Sequence, residues 1–457
     1  MRDIAITLAV FGSLPFILAR PWIGILVWTW LSFMNPHRLA WGFSVTMPFA
    51  MVVVLTTLVA IAISREPKKL RMQPELVLMV AFLGWMFLTT LNAHYPAFAW
   101  EQFEKVVKIF FMIVVATLVI NTRERLIALV WVIALSIGFY GVKGGVFTLV
   151  TGGGYYVRGP LGSFISGNNE IGMALVMTVP LLYYCSQTAT RRFLRWGFLS
   201  AVFLTIVATL GTQSRGALVG LCAMGFVFWL KARHKFQIAA LIVLTAAVLV
   251  PFMPESWFER MSTIRDFEQD RSALGRINAW EMAFNMARAE LFGGGFESFQ
   301  AAEFAKYSPV AMLTFDAHSI YFEVLGEHGF PGLAFFLLIA GTTWRSASKI
   351  IRAYKEDPEL KWLCDLMAMT QVSMVAYLVA GAFLGLAYFD YFYNLVLIVV
   401  IAKDLVASRH RAGNVESPYK SDRSGAAAMR SSASTTSATT RSRVPTARGG
   451  IADKGRA

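Results

Sequence analysis

Four side chains in this sequence have the type and setting to act on an anionic, oxygen-rich substrate. Arg158 stands in Tyr155-Tyr156-Val157-Arg158-Gly159-Pro160, and Arg215 in Gly211-Thr212-Gln213-Ser214-Arg215-Gly216 between two apolar runs. Arg276 opens Arg276-Ile277-Asn278-Ala279-Trp280-Glu281-Met282-Ala283, and His318 lies in Asp316-Ala317-His318-Ser319-Ile320-Tyr321. A guanidinium is a planar fork of donors that pairs with phosphate oxygens, and an imidazole can take a proton near neutral pH. Two apolar runs meet at Arg215 with almost no loop, so its charge sits near membrane depth and costs at least about 2.5 kcal/mol without a partner. Each residue also has a plainer reading. An outer arginine can snorkel to headgroups or pair with a carboxylate, Arg276 can be solvated on a helix held by packing, and His318 can be structural.

The elements that must position these residues are membrane spans. The chain has 457 residues, 56% hydrophobic and 15% charged, with a mean hydropathy of +0.55. Soluble domains carry roughly 25% charged residues, so a soluble enzyme is excluded. Apolar windows of near-spanning length fall at 4–19, 21–34, 44–64, 75–92, 103–121, 125–147, 168–186, 196–211, 214–230, 236–252, 331–345, 362–386 and 388–402. The first two are divided only by Arg20 and Pro21, so twelve or thirteen spans are expected, the first retained rather than cleaved as a signal.

The net charge of +14 does not point to nucleic acid, because the basic residues collect in short loops and in the C-terminal tail. The loops 65–71, 123–125, 191–195, 231–235 and 345–361 are basic and alternate with less basic ones. That alternation puts the basic set in the cytoplasm. Segments 35–43, 93–102, 148–167, 212–215, 253–330 and 387–390 are then outside. The expected organisation is a span region over 1–252, an outer loop with amphipathic helices over 253–330, and C-terminal spans over 331–405. A disordered basic cytoplasmic tail rich in Ser and Thr is expected over 406–457. Cys185, Cys222 and Cys364 lie in or beside spans, where buried small residues are expected rather than disulfides.

The long outer connection is the obvious place for chemistry. Arg276, Trp280, Ala283 and Ala287 recur at helical spacing and predict an amphipathic helix over the bundle. Gly293-Gly294-Gly295 permits a close turn with exposed backbone amides. Tyr321, Phe322 and Leu325 follow His318 at helical spacing, which sets His318 near the start of a short helix where an imidazole is biased toward its neutral form. Asn168, Asn169 and Glu170 either cap the next span or touch sugar hydroxyls, and His328 is read as structural.

In order and sidedness these motifs resemble the O-antigen ligase and polymerase family. The shared features are Ser214-Arg215-Gly216 opening a span, Arg276 with Trp280 and Ala283 ahead of the three glycines, and His318-Ser319-x-Tyr321 followed by Gly326-Glu327-x-Gly329-x-x-Gly332. Asn35-Pro36-His37-Arg38 is similar to the O-glycosylation ligases that accompany exosortase systems. The resemblance covers about residues 1–405, and Ser319 stands where the family often has Asn. It implies an all-α polytopic protein of about twelve transmembrane helices, GT-C-like, in a bacterial inner membrane with its site facing the periplasm.

The implied activity is an inverting, metal-independent glycosyltransferase that moves a glycan from undecaprenyl diphosphate to an acceptor glycan, lipid or protein. Arg215 and Arg276, with Arg158 third, would bind the diphosphate, and His318 would orient or deprotonate the acceptor hydroxyl, with no cofactor. No Asp-x-Asp pair appears, although Asp266, Glu268, Asp270 and Glu297 leave a metal open. A polymerase of the same family, a transporter of small anions or lipid-linked sugars and an export scaffold are the competing readings.

Overall fold

The computed structural model describes residues 1–415 except 69, 71, 233 and 263–270. Asp266, Glu268 and Asp270, three of the basic loop residues (Lys69, Arg71, Arg233) and residues 416–457 of the expected tail lie outside the described residues. The described residues form sixteen α-helices and no strand. These are α1 (Arg2–Ala19), α2 (Pro21–Met34), α3 (Phe49–Ile63), α4 (Pro74–Leu91), α5 (Pro96–Val119), α6 (Arg123–Val150), α7 (Asn168–Thr188) and α8 (Arg192–Gly211). They continue with α9 (Arg215–Lys231), α10 (Lys235–Leu249), α11 (Glu255–Ser262), α12 (Arg271–Ala289), α13 (Ala301–Tyr307), α14 (Ile320–Tyr354), α15 (Lys361–Ala380) and α16 (Asp390–Val415).

Each apolar window of the sequence falls on one of these helices. Eight of them, α1, α4, α6, α7, α8, α14, α15 and α16, are long and apolar enough to cross a membrane, while α2, α3 and α10 are apolar but shorter. The chain is a multi-pass membrane protein. α1 and α2 are separate helices because Pro21, which has no amide hydrogen to donate, takes the first turn of α2. Residues 1–405 form one compact unit; from residue 406 the described chain continues α16 as far as Val415.

α7 and α16 are the most enclosed spans and α1 is the most peripheral. Along α6, Gly141 and Gly145 let α8 approach closely: an added Cβ would lie 2.2 Å from the Thr205 hydroxyl and 2.2 Å from the Leu204 carbonyl oxygen. Small residues do this in membranes, where packing rather than apolar burial drives helix association. α15 packs against α7, α9 and α14, and α12 lies on α14 with α13 beside it. Cys185 and Cys364 are buried as expected, but Cys222 is exposed. α9 meets α15 through Gly216 and Gly220, and a residue two positions beyond Gly220 points away from that face.

Polar contacts sort the loops to two ends of the bundle. At one end the His94 amide donates to the Gly294 carbonyl (2.9 Å), Val157 to Gly211 (2.9 Å), and the Gln213 side chain to Gly153 (3.0 Å). The Arg38 guanidinium comes within 3.2 Å of where a Cβ on Gly162 would lie. At the end where α6 begins, Arg125 makes a fork on Glu66 at 2.7 and 2.8 Å, and Arg123 lies 4.8 Å over the Trp362 ring. Segments with few cations thus gather at one end, and basic segments at the other.

Candidate active site

The turn that carries Arg215 is built by capping. Ser214 is the N-cap of α9, its hydroxyl accepting from the Ala217 amide at 3.3 Å, and Gln213 turns the chain with a positive φ of 52°. Thr212, Gln213 and Ser214 are buried, which leaves the half-buried Arg215 as the first helical residue. There the positive end of the helix dipole adds to the guanidinium charge, so the position suits an anion. The start of α7 braces this turn. Its N-cap is Gly167 without a side-chain cap, and Asn168 donates instead to the Thr212 carbonyl at 3.0 Å. The sequence offered Asn168 as a cap or a sugar contact, and the structure uses it as a tie between α7 and the arginine turn.

Arg158 lies on the rim. It is exposed, with its guanidinium 5.9 Å from the Tyr156 ring centroid. The bond from the Val157 amide to Gly211 joins its loop to the arginine turn.

Arg276 and His318 are organised by one helix. α12 starts earlier than the spacing of Arg276 and Trp280 required, and its buried Ala279, Met282 and Met286 pack on Phe304 of α13. From α12, Asn278 holds the following loop by three bonds: its amide donates to Val310 (3.0 Å) and Leu313 (2.8 Å), and its oxygen accepts from the Val310 amide (3.1 Å). The Trp280 indole donates to the Ala317 carbonyl at 2.8 Å, and its ring stacks on Phe322 at 5.0 Å and 7°. His318 follows with a positive φ of 42°, Ser319 is the N-cap, and the helix begins at Ile320. A left-handed non-glycine residue costs roughly 1–2 kcal/mol and persists only where its surroundings fix it.

The imidazole of His318 is half-buried, and its pKa lies below the ordinary histidine value. Loss of solvent is the first cause; Asp316 opposes it, Arg276 reinforces it, and Glu170 opposes it. Electrostatically, then, the histidine shares a site with Arg276 of α12 and Glu170 of α7. The Arg215 turn reaches the same place through the segment after α15. A Cβ added to Gly216 would lie 3.3 Å from Phe383, one on Gly381 would meet the Ile320 side chain, and one on Gly385 would lie 3.6 Å from the His318 amide nitrogen. Arg276 is thus an electrostatic neighbour of His318, and the Arg215 turn packs on the same segment after α15 that passes the His318 amide, while Arg158 is joined to that turn through its loop.

The three glycines make the expected close turn, with positive φ at Gly293 and Gly295, but their amides are buried rather than exposed. Gly294 donates to the Gly326 carbonyl and Gly295 to the Glu327 carbonyl, both at 2.9 Å, and the Glu297 amide donates to the Glu327 carboxylate at 2.8 Å. These amides satisfy the last carbonyls of the short helix 320–328, which breaks at Gly329 with φ 65°. They are spent on the protein and do not face a ligand. Within that junction His328 is fully buried, its Nδ1 2.7 Å from the Thr89 hydroxyl, as its structural reading required.

Two groups received no role from the sequence, although Glu327 stands in the Gly326-Glu327-x-Gly329 motif. Glu327 accepts from the Tyr388 hydroxyl at 2.6 Å as well as from Glu297, which ties α14 to the corner before α16. His94 joins Glu290 (Nε2, 2.7 Å) and Glu303 (Nδ1, 3.0 Å), fastening the α4–α5 loop to the ends of α12 and α13. Burial pushes the Glu290 carboxyl up, but bonds from Tyr307, Lys306 and His94 outweigh it and hold it low. Partners two hundred residues apart leave no periodicity to read.

Residues 172–337 match a family described as O-Antigen ligase, and residues 1–190 match a family of unknown function. No curated protein matches the chain. The O-antigen ligase match contains Arg215, Arg276 and His318; Arg158 lies in the other.

Proposed function

We propose that this protein is a glycosyltransferase of the O-antigen ligase type that moves a glycan from a lipid diphosphate to an acceptor hydroxyl on the periplasmic face. The supporting observation is that His318 is an electrostatic neighbour of Arg276 and shares with the Arg215 turn the segment after α15, all three residues lying within the span of the ligase match. In this reading Arg276 and Arg215 bind the diphosphate, and Arg158 meets the substrate at the rim. His318 accepts the proton of the acceptor hydroxyl as its oxygen bonds to the anomeric carbon. The bond from that carbon to the diphosphate oxygen breaks in the same step, with inversion, and the departing negative charge falls to the guanidinium groups. The lowered pKa of His318 keeps it neutral and able to accept near neutral pH. Undecaprenyl diphosphate is the expected carrier, and the GT-C-like assignment belongs to this same proposal. The narrower kinship with exosortase-associated ligases rests on Asn35-Pro36-His37-Arg38, where Arg38 reaches the turn beyond Arg158.

The test is transfer by purified protein from a lipid diphosphate oligosaccharide in detergent, with and without a chelator. Folded Arg215→Ala, Arg276→Ala and His318→Ala variants should each lose at least about 100-fold in rate, the scale of a lost transition-state contact. Glycan on a separate acceptor supports a ligase, and growth of the lipid-linked chain makes the protein a polymerase. Variants as active as the parent would dismiss the site.

A further inference from the structure

We propose that Trp280 is a positioning residue for His318, so that one helix sets both the anion-binding arginine and the proton acceptor. This rests on the function proposed above, because it assumes that the place of the imidazole matters to transfer. Arg276 and Trp280 are four residues apart on α12 and therefore share a face, one turn from each other. The indole N–H donates at 2.8 Å to the Ala317 carbonyl, the carbonyl of the peptide bond that enters His318. The near-parallel stack on Phe322, at 5.0 Å and 7°, grips the first turn of the helix that leaves it. His318 thus lies between two attachments to a single side chain, and it has the left-handed φ of 42° that a free loop would give up. Relaxing that φ swings the imidazole away from Arg276, and a displacement of an ångström can cost on the order of 100-fold in rate.

The plain alternative is that Trp280 only packs the outer helices together. Asn285 separates the two. Its side chain also ties α12 to the neighbouring segment, donating at 2.9 Å to the carbonyl of Tyr307 at the end of α13, ahead of the loop that holds Ala317.

The experiment compares Trp280→Phe, which keeps an aromatic ring over Phe322 and removes the donor, with Asn285→Ala. Transfer kinetics in detergent are read together with the rate of diethyl pyrocarbonate modification at His318, followed by mass spectrometry. Trp280→Phe should lower kcat about 10- to 100-fold with the donor KM within about twofold. It should also raise the acidic limb of the pH profile, as the imidazole gains solvent, and speed His318 modification several-fold. Asn285→Ala should match the parent in all three. If Trp280→Phe does not fold, Phe322→Leu, which keeps the indole donor but loses its stacking partner, should shift limb and modification rate in the same direction. Equal loss in Asn285→Ala, or unchanged modification and pH profile in Trp280→Phe, would overturn the inference. A parent that transfers no glycan while Trp280→Phe still unmasks His318 would sink the functional reading and leave the positioning intact.

Discussion

At the scale of single residues the site is a balance of charge around one imidazole. Burial and Arg276 lower the pKa of His318, while Asp316 and Glu170 raise it. A base must be neutral to accept a proton, so transfer should fall only as the pH drops through that lowered value, below the unperturbed ~6.5. Asp316→Asn removes a negative charge that favours the imidazolium. The acidic limb of kcat/KM should then move to lower pH, and Glu170→Gln should move it the same way. A limb that moved upward, or stayed fixed in both, would show that another group sets the profile. Arg215→Lys tests a separate matter, whether charge alone suffices: a lysine keeps the charge but loses the fork, and transfer should fall at least about tenfold.

At the scale of elements the decisive structure is the junction between the glycine loop and the end of the short helix 320–328. A Cβ on Gly293 would lie 2.5 Å from the Gly326 carbonyl oxygen, and one on Gly329 2.3 Å from that of Leu291, with positive φ at both positions. Gly293→Ala and Gly329→Ala should each cost more than ~2 kcal/mol and lower the thermal midpoint in detergent, together with transfer, because His318 leads directly into the short helix that this junction holds. Gly84→Ala, inside α4 with open space around it, should leave the midpoint unchanged or raise it. This junction also marks the limit of what the sequence made legible. Helices were readable because an apolar run of spanning length reports on itself; Arg215 stood out because charge at membrane depth is rare, and Arg276 and His318 because a long connection is uncommon without a function. The glycine amides were read as exposed because their true partners, the carbonyls of Gly326 and Glu327, lie about thirty residues away in sequence. The bond between Trp280 and Ala317 and the His94 cluster were hidden for the same reason.

At the scale of the molecule the two ends differ in chemistry. At the basic end Glu75, fully buried at the start of α4, pairs with Lys403 of α16 at 2.7 Å and accepts from Ser346 of α14. Lys403→Met strands a buried charge and should cost about 3–5 kcal/mol in thermal unfolding, whereas adding Glu75→Gln should recover most of it. The orientation of these ends decides whether the function proposed here is possible. The loops that meet around His318 are less basic than the end where Arg123, Arg125 and the loop before Trp362 lie, so the positive-inside bias predicts that the histidine faces outward. In a chain whose three cysteines are changed to serine, Leu161→Cys and Met312→Cys, exposed positions at the His318 end, should react with an impermeant maleimide on intact cells. Glu356→Cys, in the exposed turn after α14, should react only after the membrane is opened. The opposite pattern would turn His318 and the arginines toward the cytoplasm, and a periplasmic acceptor could then never reach them.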